Sequence, residues 1–167
     1  MQHTIKKSAL LIIIILLFTN CKTSDTENQL NYSYTEFQNL DFLHGYKKNS
    51  DTSYVDYGND PTHRVTELKK DNKRIILFSE INLDQDRTEI YSLKDTLMIL
   101  NLGSDQYVSI GYCYKSGLHA EEIISIVQST DKSKIQKIIK AWRANPKSEK
   151  IEKLESLENL DCFNEYY

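Results

Sequence analysis

Arg64-Val65-Thr66-Glu67-Leu68-Lys69-Lys70-Asp71-Asn72-Lys73-Arg74-Ile75-Ile76-Leu77-Phe78-Ser79-Glu80-Ile81 holds two runs rich in β-branched and aromatic residues on either side of a polar dipeptide. Such runs suit a pleated, half-buried surface, and Asp71-Asn72 is a turn of the length that joins antiparallel neighbours. Three more runs follow, Arg87 to Leu93, Leu97 to Leu102 and Tyr107 to Tyr114, separated by Asn82 to Asp86, Lys94 to Thr96 and Gly103 to Gln106. Each separator is brief, so successive strands are expected to pair as an antiparallel meander. Ile76, Phe78 and Glu80 alternate with Ile75, Leu77, Ser79 and Ile81, which puts apolar residues on both faces and predicts a sheet that is curved or covered.

Upstream, Tyr34 to Tyr46 carries Phe37, Leu40, Phe42 and Leu43, a cluster that fits a short helix or an irregular strand. Asn49 to Thr62 is turn-rich, with a short strand expected over Ser53 to Tyr57. Downstream, Glu121 to Gln128 fits a strand by β-branching and a helix by spacing, with the strand favoured. Ile135, Ile138, Ile139 and Trp142 fall on one helical face, so an amphipathic helix is expected from Asp131 to Ala144, stopped by Pro146. Lys150 to Leu154 alternates charged and apolar residues as a half-exposed strand does. The fold class expected is α+β: a meander of about six to eight strands, as a curved sheet or partial barrel, with one C-terminal amphipathic helix and a final strand. In outline that order resembles a lipocalin-like layout, and a cystatin-like sheet wrapped on a helix is the other shape considered.

The N-terminus carries an address. Lys6 and Lys7 precede ten uninterrupted apolar residues, Ala9 to Phe18, the anatomy of a secretory signal. The run is too short to cross roughly 30 Å of hydrocarbon, which takes about 20 residues. Phe18-Thr19-Asn20-Cys21 resembles the lipobox of bacterial lipoproteins, in a relaxed form like that of Bacteroidetes-type members. The resemblance implies cleavage before Cys21, a diacylglyceryl group on its sulfur with palmitate-type acyl chains, and a membrane partner reached through that lipid. It also implies the outer membrane, on the periplasmic side or at the cell surface. The expected organisation is residues 1–20 as signal peptide, 21–33 as lipidated cysteine and tether, and 34–167 as one domain.

Lys6 and Lys7 leave with the leader, so 19 basic side chains face 24 acidic ones in the expected mature chain. That balance argues against nucleic acid as a partner. Two cysteines remain besides Cys21, and in an oxidising compartment Cys113 and Cys162 are expected to form one structural disulfide.

No motif assigns a reaction. Asn82-Leu83-Asp84-Gln85-Asp86 begins like a calcium loop, but Arg87 stands where Gly is needed and Leu93 where a bidentate carboxylate is needed, so a solvated acidic turn is expected. His44, His63 and His119 lack the spacing that brings two imidazoles to one face. Lys134, Lys137, Lys140 and Arg143 are expected on the solvent side of the Asp131 to Ala144 helix. No metal or cofactor is expected, and no catalytic residue. Eleven tyrosines are the least ordinary feature, and Tyr107, Tyr112 and Tyr114 are the candidate ligand contacts, because tyrosine joins a broad apolar face to a polar tip. The function expected is a lipid-anchored, non-enzymatic binding or accessory module for a peptide, glycan or envelope protein. An envelope-complex subunit or docking inhibitor is the alternative, and a hydrolase the third.

Overall fold

The computed structural model describes residues 32–164. Residues 1–31 lie outside it, and with them the signal peptide, the lipobox and Cys21. Among the described residues twelve strands run in chain order: β1 Ser33–Tyr34, β2 Lys47–Tyr54, β3 His63–Lys70, β4 Lys73–Leu83, β5 Glu89–Leu100, β6 Gln106–Ile110, β7 Cys113–Lys115, β8 Leu118–His119, β9 Ile123–Gln128, β10 Ile138–Asn145, β11 Lys150–Lys153 and β12 Leu160–Cys162. They form a five-stranded sheet in the order β1-β5-β4-β3-β2, a four-stranded sheet β11-β10-β9-β6 and a three-stranded sheet β12-β7-β8. Every pairing is antiparallel.

Of the expected meander only β3 to β5 pair in succession, with β2 at their edge, whereas the expected Tyr107 to Tyr114 strand leaves for another sheet, where β6 pairs with β9, and the α+β class is not found. Among the described residues helical structure is limited to the 3-10 turns Phe37–Asn39 and Asp41–Leu43, which resolve the Tyr34 to Tyr46 cluster as neither a regular helix nor a strand. The helix expected from Asp131 to Ala144 is instead a loop followed by β10. A bulge misled the periodicity: the pairing of β10 with β9 slips between Ile138 and Lys140, so Ile138 opposes Val127 and Lys140 opposes Ile126. One extra residue turns a period of two into spacings of three, and that mimics a helical face. Ile138 and Ala141 then meet one apolar cluster while Ile139, Trp142 and Ala144 meet another. With that helix absent, the lipocalin-like and cystatin-like outlines fall as well.

A second bulge corrects the turn expected at Lys94 to Thr96. The segments on either side are one twelve-residue strand, β5, whose pairing with β4 slips where Asp95 opposes Phe78 and Leu93 opposes Ser79. The extra residue, Lys94, reaches Glu80 at 2.9 Å and Glu149 at 2.8 Å, and Asp95 accepts from the Ile151 amide at 2.7 Å. Polar residues that read as a break are thus the join between β5 and β11.

The apolar residues on both faces of the strands are explained by layering. Between the five- and four-stranded sheets lies a core of Tyr54, Val65, Ile76, Phe78, Ile99, Val108, Ile110, Ile124, Ile126 and Ala144. The outer face of the large sheet is covered by the Tyr34 to Tyr46 segment, with Leu40 and Leu43 over Leu68, Ile75, Leu77 and Leu93. The outer face of the four-stranded sheet is covered by the three-stranded one, with Cys113, Leu160 and Cys162 over Ile123, Val127 and Ala141. Each fully buried Leu, Ile or Phe contributes about 1.5–3 kcal/mol, so these three clusters are the chief apolar stabilisation of the fold.

Candidate functional site

The three-stranded sheet has one buried and one exposed face, and alternation sorts its residues cleanly. Cys113 and Cys162 stand directly opposite in the β7–β12 pairing and are joined by a disulfide, with the Ser125 hydroxyl 3.4 Å from one sulfur and 3.6 Å from the other. Tyr112 and Tyr114 flank Cys113 and therefore point the other way, as Asp161 and Phe163 do around Cys162. The turn from β7 to β8 uses Ser116 and Gly117 at φ 52° and 79°, the two positive values that a tight type I′ hairpin needs. This hairpin sets His119 opposite Tyr114.

The result is an aromatic shelf. The Tyr114 ring lies 4.9 Å from the His119 ring and 5.3 Å, edge to face, from Phe163. Tyr112, Tyr114, Gly117, His119, Asp161 and Phe163 line a hollow of about 450 Å³. Tyr112 is 40% exposed, Tyr114 37% and Phe163 38%, values high for rings of this size and enough to stack on a ligand. His119 Nε2–H donates to the Gly111 carbonyl at 2.8 Å, which leaves Nδ1 facing Glu121 at 3.5 Å. Asp161 pairs with Lys134 at 2.8 Å. The shelf thus offers flat apolar faces with a carboxylate and an imidazole at its rim.

Of the three tyrosines singled out in the sequence, Tyr112 and Tyr114 come together and Tyr107 does not. Gly111, at φ 79°, breaks the expected Tyr107 to Tyr114 strand into β6 and β7, and a side chain there would meet Thr52 at 2.9 Å. Tyr107 packs against the cluster beneath the disulfide and lines a separate cleft of about 520 Å³ with Asn49, Ser50, Glu67 and Arg74. Glu67 is the surprise in that cleft: its side chain is 1% exposed, accepts from Asn49 at 2.7 Å and Ser50 at 2.9 Å, and pairs with Arg74 at 3.1 Å. Burial raises its carboxyl above the usual range, against the pull of those three partners. A bulge in β2 between Lys48 and Ser50 supplies both donors.

A third group surrounds Arg64, which bonds Asp51 and Tyr91, while Tyr91 bonds Glu89. Burial opposes the charge of Asp51, but the Arg64 hydrogen bond and charge outweigh it and hold that carboxyl low. Tyr91 is pushed up to about 12, first by burial and then by its bond to Glu89.

The remaining candidates fall apart. Asp84 Oδ1 accepts from the Asp86 and Thr88 amides at 2.9 and 2.8 Å, so the calcium-like loop is a hairpin tip holding itself. His63 is buried between Tyr54 and Phe78, His44 ends the second 3-10 turn, and no group of three metal-binding side chains occurs among the described residues. Lys134 and Arg143 are ion-paired, to Asp161 and Glu122, rather than forming one helical face. No family model, curated protein or solved structure matches this chain.

Proposed function

We propose that the protein is a lipid-anchored cell-envelope binding module, acylated at Cys21, that holds a glycan or extended peptide on the shelf formed by Tyr112, Tyr114, His119, Asp161 and Phe163. The observation that carries this reading is the clustering of exposed aromatic rings on a small sheet that a disulfide pins in place, since rings held rigid lose little freedom on binding. The disulfide also suits an oxidising compartment outside the cytoplasm. Leu118, 74% exposed at the hairpin tip beside the shelf, supports a second reading in which the same face docks one envelope protein.

Titration with soluble oligosaccharides and with extended peptides tests the shelf. Saturable binding that falls at least tenfold in Tyr112→Ala/Tyr114→Ala, with an unchanged far-ultraviolet spectrum, is expected from the loss of two stacking rings. Binding that survives the double substitution places the site elsewhere. The anchor is tested separately: Cys21→Ser is expected to abolish fatty-acid labelling and release the protein from membranes.

A further inference from the structure

The end of the large sheet where β3 turns into β4 concentrates positive charge in a chain that is net acidic. Lys47 stands opposite Lys69 and Lys69 opposite Arg74, one row of cations across three strands, and Lys70 faces Lys73 beside it. Like charges directly opposite one another destabilise a sheet. Internal partners offset only part of this. Arg74 is held by Glu67, Lys48 by Asp51, and Lys70 by the His44 carbonyl at 3.0 Å and the face of Tyr46, while Asp71 brings one acid to the turn. Among the described residues Lys47, Lys69 and Lys73 have no ion-pair partner. The same end exposes apolar side chains: Leu100, opposite Lys73, is 52% exposed and Met98, opposite Ile75, is 57% exposed.

We infer that this end of the sheet docks on the phosphate-bearing headgroups of an anionic bilayer, the lysines meeting phosphates and Leu100 and Met98 the acyl boundary. Clustered lysines attract such a surface, and flanking apolar side chains add burial at the interface. The inference rests on the lipid-anchor reading for its proximity to a membrane, and the geometry of the chain permits it. Ser33 pairs with Ser92, which pairs with Glu80, seven residues along β4 from Lys73 and so about 23 Å from it. The ten residues between Cys21 and Tyr32 span up to about 35 Å when extended. A chain held at Cys21 therefore lets the basic end reach the surface that holds it.

The test uses residues 21–167 carrying Cys21→Ser, which include every contact described above and lack both leader and lipid. Partition is measured at low salt onto vesicles of phosphatidylglycerol mixed with phosphatidylcholine, and onto phosphatidylcholine alone. Lys47→Gln/Lys69→Gln/Lys73→Gln is expected to bind the anionic vesicles about a hundredfold more weakly. The matched variant Lys115→Gln/Lys147→Gln/Lys153→Gln, with the same charge change at exposed positions on β7, on β11 and in the turn between β10 and β11, is expected to stay within about threefold of the parent. Equal losses in the two variants overturn the inference, as does partition indifferent to phosphatidylglycerol. Saturable binding of inorganic phosphate without vesicle partition also overturns it, in favour of a soluble anion. Fatty-acid labelling of the unmutated chain reports on the anchor alone, so a failed anchor and a failed basic surface are told apart.

Discussion

The two outer covers of the sandwich do the same job by different means. The N-terminal cover, Tyr34 to Tyr46, seals the large sheet with Leu40 and Leu43, the latter only 1% exposed, and leaves Phe42 at 47% exposure. The C-terminal cover is a sheet of only three short strands, tied by Cys113–Cys162, whose outer face carries Tyr112, Tyr114 and Phe163. A two- or three-residue strand buries too little to hold itself in place, and the covalent bond supplies what packing does not. The first cover devotes Leu40 and Leu43 to stability. The second, because it is stapled, keeps its aromatic side chains on the exposed outer face.

That contrast orders the expected effects. Cys113→Ala/Cys162→Ala opens a loop of 49 residues in sequence separation and is expected to cost about 4 kcal/mol in denaturant unfolding; a loss under 1 kcal/mol would mean the small sheet holds without its staple. Leu43→Ala is expected to cost about 3 kcal/mol by cavity formation, and a negligible cost would show the first cover to be loosely applied. Glu67→Ala removes the acceptor of Arg74, Asn49 and Ser50 and is expected to cost about 2 kcal/mol, lower than for a fully enclosed pair because Arg74 is partly exposed. Tyr114→Ala is expected to change stability by less than about 0.5 kcal/mol while weakening ligand binding.

Acid acts on the shared core between the covers. Burial pushes His63 below its ordinary value of 6.5, so the unfolded chain binds the proton more readily than the folded one. Its contribution is therefore complete above pH 6.5 and is lost as the pH falls through 6.5 toward the folded value. His63→Phe, which keeps a ring between Tyr54 and Phe78, is expected to flatten the stability profile between about pH 7.5 and 5.5. An unchanged slope would show that other groups set it.

Much of the strand content was legible because alternation and brief separators report local pairing: Asp71-Asn72 marks a real turn, and the strand that β-branching indicated within Glu121 to Gln128 is found over Ile123–Gln128. Two of the errors share a cause. At Ile139 and at Lys94 one inserted residue shifts the period, and a single sequence cannot separate a bulge from a helical spacing or from a turn. The disulfide followed from counting cysteines, whereas the shelf was only half visible. Tyr112 and Tyr114 share a face by alternation, but Phe163 and His119 join them through β12 and a Ser116-Gly117 hairpin, and long-range pairing leaves no local mark. Glu67 stayed hidden because an acid within a strand reads as a wet face, and only the packed sheets show it to be enclosed.

Amide hydrogen exchange on the bridged protein and on Cys113→Ala/Cys162→Ala tests the contrast most directly. Without the bridge, the amides of β7, β8 and β12 are expected to exchange much faster, while those of β3 and β4 beneath the N-terminal cover keep their protection. Equal acceleration across both covers, or none in the small sheet, would contradict the account, because the staple would then not be what holds the aromatic shelf in place.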